Sequence, residues 1–376
     1  MPAEAGEEQR NEVKKERAIF HRDCAYKEVG INRAEDREMA TTVPTKPPSP
    51  EGIFQMLNAY QQTAVLRAAI DLDLFSAIGD GATTAEAIAA KASAKTRGVR
   101  ILCDALCIAG LLTKSGLEYG LSADAATFLD RKSPACMAEI VGFLGRSEMT
   151  KNFSVLTETV RNGNPPADTV AEAENPIWVS FARSMAPTTV PAANFIARLL
   201  GAQAGRPMKV LDIAAGHGNF GITIAKLNPQ ACIVAQDWAA VLTVALENAQ
   251  KANVEARVQV LPGSAFEVEF GEGYDAVLLT NFLHHFDTAT NAALLKKIYE
   301  ALKPGGKVVT LEFVPNEDRI SPPMPALFSV VMLASTASGD AYTYGEFDDM
   351  FRNAGYARTS AHPVPGMPQT VLISEK

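Results

Sequence analysis

A glycine-rich turn after an apolar run carries the clearest chemical signal in this sequence. Residues 208–221 read MKVLDIAAGHGNFG, so Asp212 is followed by Gly216, Gly218 and Gly221. Glycines let the backbone approach a ligand closely and take positive φ angles, and the N-terminus of a following helix favours anions. The spacing G-x-G-x-x-G after a strand is the pattern of a dinucleotide-binding turn, but a carboxylate at its mouth fits a pyrophosphate poorly.

The charge of Asp212 separates the two cofactor classes that use such a turn. Two like charges ~4 Å apart cost about 4 kcal/mol at an effective dielectric constant near 20, so a pyrophosphate would be repelled. S-Adenosylmethionine carries an ammonium and a sulfonium group instead, and a neighbouring acid attracts both. Asp237, at the end of the next predicted strand, is the expected partner of ribose hydroxyl groups for either cofactor. We therefore expect S-adenosylmethionine and keep a nicotinamide-dependent oxidoreductase as an alternative.

An alternation of strands and helices from Met208 onward must position these residues. Strands are predicted at 208–214, 231–236, 256–261, 274–280 and 306–313, with helices near 219–227, 239–251 and 289–302 between them. Further helices are predicted at 324–335 and 344–354, and a terminal strand pair at 356–361 and 369–374. This alternation predicts a parallel sheet covered by helices on both faces. Ligands bind such sheets at the carboxyl ends of the strands.

The first half of the chain has a mainly helical pattern. Residues 1–48 form a charged extension and a proline-rich linker, TTVPTKPPSP, that cannot be helical. Met39, just before this linker, is a candidate natural start, and an arm used in dimer contacts is the alternative. We expect a winged-helix domain at 49–134, a helical connector contributing to a substrate pocket at 135–205, and a cofactor-binding domain at 206–376.

Composition excludes several function classes. The 376 residues are 47% hydrophobic and 21% charged, with a formal net charge of -8, which is unfavourable for binding nucleic acid through its phosphates. No apolar run reaches the ~18 residues of a membrane span, and the N-terminus lacks the apolar core of a signal peptide. Five cysteines without a C-x-x-C pair fit a reducing cytoplasm. No spaced cluster of histidines and acids predicts a metal site.

Four segments carry a family resemblance: VLDIAAGHG, LPGSAFEVEF, YDAVLLTNFLHHFD and LKPGGKVVTLEF. In order and spacing, residues from about 50 to 376 resemble the class I S-adenosylmethionine-dependent O-methyltransferases that carry an N-terminal winged-helix dimerisation domain. Plant caffeate and flavonoid O-methyltransferases and bacterial hydroxyneurosporene-type enzymes belong to this family. The resemblance implies an α/β fold with a Rossmann-like sheet of seven strands, the last one antiparallel, and a homodimer that acts on a small-molecule acceptor.

The resemblance also implies the cofactor residues. They are Asp212, Gly216 and Gly218 at the methionine end, Asp237 at the ribose, and Trp238, Ser264 and Phe266 around the adenine. Ser264 departs from the family pattern, which often has an acid at this position. A hydroxyl group could still hydrogen-bond to the adenine amino group.

For catalysis, the resemblance implies that His284 is the general base and that Glu312 supports it. A phenol near pKa 10 and a histidine near 6.5 differ by ~3.5 units, so full prior proton transfer would cost about 5 kcal/mol. The proton should therefore move as the methyl bond forms. The family's second supporting acid falls near Ala341 and is missing here, with Asp340 a neighbour. His285 is expected to be structural or to contact substrate, and transfer to carbon or nitrogen stays open.

Aromatic and methionine side chains predict a flat, apolar, aromatic acceptor. Packing in the core is the alternative for each of them. The residues expected to form the pocket are Phe143, Met149, Trp178, Phe181, Met185, Phe328 and Met332.

Overall fold

The computed structural model describes residues 48–145, 147–166 and 176–376, with the backbone alone at 147–149. The predicted extension, up to residue 47, and the side chain of Met149 lie outside the described residues. By its contacts the chain divides into two compact units, Met1–Met56 and Leu57–Lys376. Of the first unit, the structure describes residues 48–56, which include the beginning of a long helix.

The N-terminal region consists of one long and three shorter helices followed by a hairpin, the order that the sequence predicted. The helices are α1 (Glu51–Asp71), α2 (Leu74–Gly79), α3 (Ala85–Lys91) and α4 (Thr96–Ile108), and the antiparallel hairpin is β1 (Leu112–Ser115) with β2 (Glu118–Leu121), followed by α5 (Ala123–Phe128). The hydroxyl of Thr84 caps α3 by accepting the Ala87 N–H at 3.3 Å. Residues of α2, α3 and α4, among them Phe75, Ile88 and Leu106, form an apolar core of their own.

Helices also make up the described part of the connector. They are α6 (Ala138–Leu144), α7 (Ser147–Ser154), α8 (Leu156–Asn162), α9 (Ile177–Met185) and α10 (Val190–Leu199), with a 3₁₀ turn at Ala186–Thr189. The segment Asn164-Pro165-Pro166 follows the end of α8, as a proline pair that stops a helix should.

The C-terminal region has the predicted sheet of seven strands. Its elements are β3 (Met208–Ile213), α11 (Asn219–Leu227), β4 (Ala231–Asp237), α12 (Ala239–Lys251), β5 (Val258–Pro262), β6 (Tyr274–Thr280), α13 (Thr288–Ala301), β7 (Leu302–Glu312), α14 (Pro323–Ser335), α15 (Tyr344–Asn353), β8 (Arg358–Pro363) and β9 (Thr370–Glu375). The strand order is β5-β4-β3-β6-β7-β9-β8, and β9 pairs antiparallel with both of its neighbours. The predicted fold class, including the antiparallel last strand, is confirmed.

The start of one strand differs from the prediction by four residues, whereas the other strand boundaries agree to within two. Strand β7 begins at Leu302 rather than at residue 306, because Leu302 already pairs with Tyr274 before the register shifts and Lys307 pairs with Ala276. At Gly306 a Cβ atom would lie 3.0 Å from the carbonyl oxygen of Tyr274. The glycine pair of LKPGG therefore permits an irregular start to the strand. Residue propensity alone predicts a turn for this segment.

Alternating residues of the strands belong to two different apolar clusters. Val210 and Leu211 are both fully buried but belong to different clusters, since adjacent strand residues face opposite sides of a sheet. Within the described ranges, no helix combines the length and the apolar character that crossing a membrane requires.

Candidate active site

The glycine turn joins β3 to α11 through three residues with positive φ. They are Ala214 (51°), Gly216 (57°) and Gly218 (74°). At Gly216 a Cβ atom would meet only the Ala214 carbonyl oxygen, 3.9 Å away, so a ligand can approach the backbone here. At Gly218 it would lie 3.0 Å from the Cβ atom of Ala245. The two glycines thus serve different purposes: the first leaves room, and the second lets the turn pack on α12.

A cavity of about 550 Å³ lies at the carboxyl ends of β3, β4 and β6. Seven of the residues predicted for the site line it: Gly216, Asp237, Trp238, Ser264, Phe266, Trp178 and Phe181. The cavity thus lies at the sheet edge where the sequence predicted ligand binding.

Other predicted residues do not line this cavity. Asp212 and Gly218 lie outside its lining, as do His284, Glu312, Phe143, Met185, Phe328 and Met332. Phe143 packs behind Phe181, with ring centroids 5.6 Å apart, and Met332 is buried. The proposed roles of these residues in binding cofactor or acceptor are not tested by their position and stay predictions.

Asp212 lies beneath the glycine turn and outside the lining of the cavity, and its expected role at the methionine end of the cofactor stays a prediction. The residue is 0% exposed, and Oδ2 accepts the N–H of Gly221 at 3.0 Å, while Oδ1 has no hydrogen-bond partner among the residues that the structure describes. Burial raises the pKa of this carboxyl group to about 7. The acid thus fixes the first turn of α11.

Asp237 is the carboxylate that reaches the cavity. Its Oδ2 accepts the N–H of Gly216 at 2.8 Å, and its Oδ1 accepts the N–H of Trp238 at 2.7 Å. Burial raises its pKa to about 6, and the two backbone N–H groups act in the opposite direction. Each oxygen keeps a lone pair for a further donor, so the group can accept hydrogen bonds from a diol.

Aromatic rings enclose one end of the cavity. The ring of Phe266 lies 4.9 Å from that of Phe286 and 6.3 Å from that of Phe282. Lys297 of α13 holds this region by donating to three carbonyl groups of the segment 265–268. Ser264 accepts the N–H of Phe266 at 3.3 Å and retains its hydroxyl proton for another partner.

His284 and Glu312 form a buried pair next to the cavity. His284 lies in the 3₁₀ turn after β6, and Glu312 is the last residue of β7. Their side chains are 6% and 0% exposed, and Nδ1 of His284 is 2.5 Å from Oε2 of Glu312. The edge of the Phe328 ring packs against His284, with ring centroids 4.9 Å apart. Parallel neighbouring strands thus bring together two residues that are 28 positions apart.

His285 lines the cavity, although the sequence interpretation placed the base at its neighbour. The two imidazole centroids are 4.3 Å apart. Burial, and next to it the neighbouring His284, lowers the pKa of His285 well below its usual value, which favours the uncharged ring. Within the described part of the chain, the buried Nδ1 of His285 has no hydrogen-bond partner, and neither does the buried Nε1 of Trp178, whose ring lies 6.3 Å away. Both residues line the cavity, and a buried polar atom without a partner is expected to gain one, for which a bound ligand is a candidate.

Several lining residues were missed by the sequence interpretation: His217, Gln236, Asn281, Phe282 and Phe286. His217 and Gln236 are immediate neighbours of predicted residues, and the other three lie within three positions of His284, so proximity to a motif at a strand end was the available signal. Gln236, for example, bridges the two loops by accepting the Ala214 N–H and donating to the Gly263 carbonyl at 2.5 Å.

The cavity suits an adenosine with a cationic tail. An open glycine backbone, a carboxylate at the end of β4 and aromatic rings provide for a tail, a ribose and an adenine, respectively. No Lys or Arg of the described chain lines the cavity, so a diphosphate would meet no compensating charge. Within the same residues, no three His, Cys, Asp or Glu side chains are grouped to hold a metal ion.

Comparisons with known proteins identify two domains in this chain. A family model for the O-methyltransferase domain matches residues 197–357, and one for the O-methyltransferase dimerisation domain matches residues 54–131. The first match overlaps the region predicted as a cofactor-binding domain and begins within the predicted connector, and the second lies within the region predicted as a winged-helix domain.

Individual proteins are similar over most of the chain. A crystal structure of a Nostoc punctiforme protein assigned to the O-methyltransferases is 45% identical, with a TM-score of 0.84 over 88% of this chain and 100% of that one. The 3-hydroxy-5-methyl-1-naphthoate 3-O-methyltransferase of Streptomyces sahachiroi is 28% identical over 81% of this chain and 89% of its own length.

PigF, an S-adenosyl-L-methionine-dependent methyltransferase of a Serratia strain, is 24% identical in sequence over 87% of this chain and 95% of its own length. Its structure with S-adenosylhomocysteine is 26% identical, with a TM-score of 0.77 over 88% of this chain and 100% of that one. Fold, glycine turn and relatives agree on the cofactor. The chain belongs to the S-adenosylmethionine-dependent O-methyltransferases that carry an N-terminal dimerisation domain.

Proposed function

We propose that this enzyme transfers a methyl group to a hydroxyl of an apolar, aromatic small molecule, with His284 as general base and Glu312 as its support. The observation that carries the proposal is the buried contact between His284 Nδ1 and Glu312 Oε2 beside the cavity. A carboxylate at one imidazole nitrogen keeps the proton there and leaves the other nitrogen basic.

The cofactor supplies a methyl group on a sulfonium leaving group. Asp237 would bind the ribose, and Trp238, Ser264 and Phe266 would contact the adenine. Gly216 leaves room for the methionine end, while Asp212 and Gly218 shape the turn that holds it. The negative field of the two aspartates favours the cationic donor over its neutral product, which assists release of S-adenosylhomocysteine.

Proton removal is the task of the protein's own side chains. Nε2 of His284 would take the hydroxyl proton as the acceptor oxygen attacks, and Glu312 would stabilise the imidazolium that forms. Alignment of acceptor and donor supplies the rest of the acceleration, because proximity can contribute ~7–11 kcal/mol. The missing second acid near Ala341 leaves Glu312 as the single carboxylate in this relay.

The rings beside the base support an aromatic acceptor. Trp178 and Phe181 of α9 and His285 line the cavity, and Phe328 packs on His284. Four further side chains would support the acceptor site from behind its lining or contact the acceptor once it is bound: Phe143, Met149, Met185 and Met332. The Streptomyces relative acts, by its name, on a hydroxylated naphthoate, which is a flat aromatic ring system of this kind.

The chain after the linker is proposed to have a winged-helix domain at 49–134, a connector at 135–205 and a cofactor-binding domain at 206–376. The first of these is proposed to join two copies into a homodimer. An apolar groove lined by residues of α1 and α4, including Val65, Leu102 and Ile101, is open on the surface. The exposed fractions of Ile101 and Ile108 on α4 are 43% and 90%. The match of this region to a dimerisation domain argues that a second copy covers this face.

A methyl-transfer assay tests the proposal. The enzyme is given ¹³C-methyl S-adenosylmethionine together with one acceptor at a time: 2-naphthol, 2-naphthylamine or an aliphatic alcohol of similar size. We expect the O-methyl ether of the naphthol as the main product by NMR. Preferential methylation of the amine or of a ring carbon would exclude the O-transfer assignment, and preference for the aliphatic alcohol would exclude the aromatic acceptor.

A further inference from the structure

We propose that His217, the residue between the two glycines of the turn, donates its Nε2–H to the carboxylate at the amino-acid end of the cofactor. The imidazole lines the cavity and is 7% exposed. Among the described residues, Nε2 of His217 has no hydrogen-bond partner in the protein, whereas Nδ1 and the backbone carbonyl of the same residue each accept one bond.

The first residue of α11 sets the tautomer of His217. Nδ1 accepts the backbone N–H of Asn219 at 3.1 Å. An acceptor nitrogen carries no proton, so in the neutral ring the proton resides on Nε2. Burial lowers the pKa of this imidazole to about 4, so the ring is uncharged near neutral pH. The group facing the cavity is therefore a hydrogen-bond donor.

Two asparagines hold the ring's backbone in place. The side chain of Asn248 on α12 donates to the His217 carbonyl at 2.9 Å. The side chain of Asn219 donates to the Ala186 carbonyl at 2.8 Å and to Thr189 Oγ1 at 3.2 Å, which ties the turn to the segment after α9. A donor held by such contacts loses little freedom on binding a ligand.

The charges around the turn explain why a neutral donor is needed. Asp212 and Asp237 attract the ammonium group of the amino-acid end, but they disfavour its carboxylate. No Lys or Arg of the described residues lines the cavity to balance that charge. His217 lies directly before α11, a helix of nine residues whose N-terminal dipole also favours an anion. An imidazole N–H at this position and the helix terminus together provide the missing partner.

Binding of two ligands to wild-type and His217→Phe protein tests the inference. S-Adenosylhomocysteine has the carboxylate, and 5′-methylthioadenosine keeps the adenosine and thioether but lacks the amino-acid end. By calorimetry we expect the variant to bind S-adenosylhomocysteine about 10- to 100-fold more weakly, the range of a hydrogen bond to a charged group, and methylthioadenosine with unchanged affinity. His217→Gln, which keeps an N–H donor, should recover part of the loss.

The control and a second measurement make the outcome decisive. His362→Phe, on β8 outside the cavity lining, should bind both ligands like the wild type. Should the His217 variants not fold, ¹H–¹⁵N spectra of the wild-type imidazoles give the answer: the Nε2–H signal of His217 should shift with S-adenosylhomocysteine and not with methylthioadenosine. Equal weakening of both ligands, no weakening, or equal spectral shifts would overturn the inference. None of these results depends on the acceptor or on the role of His284.

Discussion

The carboxylate of Glu312 binds His284 and the backbone of the turn that carries it. One oxygen, Oε2, is 2.5 Å from Nδ1 of His284, and the other, Oε1, accepts the N–H groups of Phe282 and Leu283 at 3.0 and 2.9 Å. The same side chain therefore fixes both the imidazole and the loop between β6 and α13. A residue at the end of one strand thus positions the proposed base at the end of its neighbour.

Substitution of this pair should lower turnover and leave cofactor binding intact. Loss of a general base costs about 10²- to 10⁴-fold in rate, so we expect His284→Ala to lower kcat by this range. Glu312→Gln should cause a large part of the same loss, because the amide cannot stabilise an imidazolium. The dissociation constant of S-adenosylhomocysteine should change little, since neither residue lines the cavity.

Steady-state kinetics and calorimetry on the two variants provide these values, with His362→Ala as the control. A kcat for His284→Ala within a few-fold of wild type would show that the acceptor needs no base. Such a result would favour a carbon or nitrogen acceptor, whose attack requires less help with a proton.

The buried carboxyl of Asp212 should make the cofactor-free protein less stable as pH rises. Its pKa is about 7 in the folded protein and about 3.8 in an unfolded chain, so the folded state holds the proton more tightly. The stabilisation is complete below pH 4 and is lost as pH rises through 7. Between pH 6 and 8 this group should reduce the free energy of unfolding by roughly 1–2 kcal/mol.

Asp212→Asn should remove that pH dependence, because an amide can still accept the Gly221 N–H but does not titrate. Urea unfolding at pH 6 and pH 8 would measure the difference. Asp349→Asn, at an exposed position of α15, should behave like the wild type. An unchanged pH dependence in the Asp212 variant would mean that this carboxyl is not the titrating group.

Lys297 should control the affinity for the adenine end of the cofactor. Its ammonium donates to the carbonyl groups of Ala265, Phe266 and Val268 at 3.2, 3.2 and 2.6 Å. Lys297→Met keeps the aliphatic length and removes these bonds, so the loop that carries Ser264 and Phe266 should loosen. We expect weaker binding of S-adenosylhomocysteine by about tenfold, as three charge-assisted bonds hold this loop.

The adjacent Lys296 provides a matched control, because it is exposed on the same helix. Lys296→Met should bind S-adenosylhomocysteine like the wild type in the same calorimetric titration. Equal affinities of the two variants would show that the loop holds its shape without Lys297.

A charge in the groove of the N-terminal domain should separate the proposed dimer. Ile101→Asp would put a carboxylate into an apolar interface, where an unpaired charge is costly. We expect the wild-type protein at twice the chain mass by light scattering and the variant at the chain mass. Ala126→Asp, an equal charge on the exposed side of α5, should leave the mass unchanged. A dimeric Ile101→Asp protein would place the interface elsewhere.

The order of strands and helices could be predicted because it depends on local patterns. Apolar alternation and glycine turns located β3 to β9 to within a few residues, apart from the irregular start of β7 at Leu302. Strand order then placed His284 and Glu312 at neighbouring strand ends, since carboxyl ends of parallel strands meet at one edge.

What the sequence by itself determined is therefore the fold, the edge of the sheet that holds the site and the pairing of His284 with Glu312. Only the tertiary structure decided which side chains face the cavity: His285 and His217 line it, while His284 and Asp212 lie beside and beneath it. The physical reason is that successive residues of a strand or turn point in different directions, so the direction of one side chain depends on backbone angles such as the positive φ of Ala214 and Asn281. Those angles follow from packing between distant segments, which a local pattern does not contain.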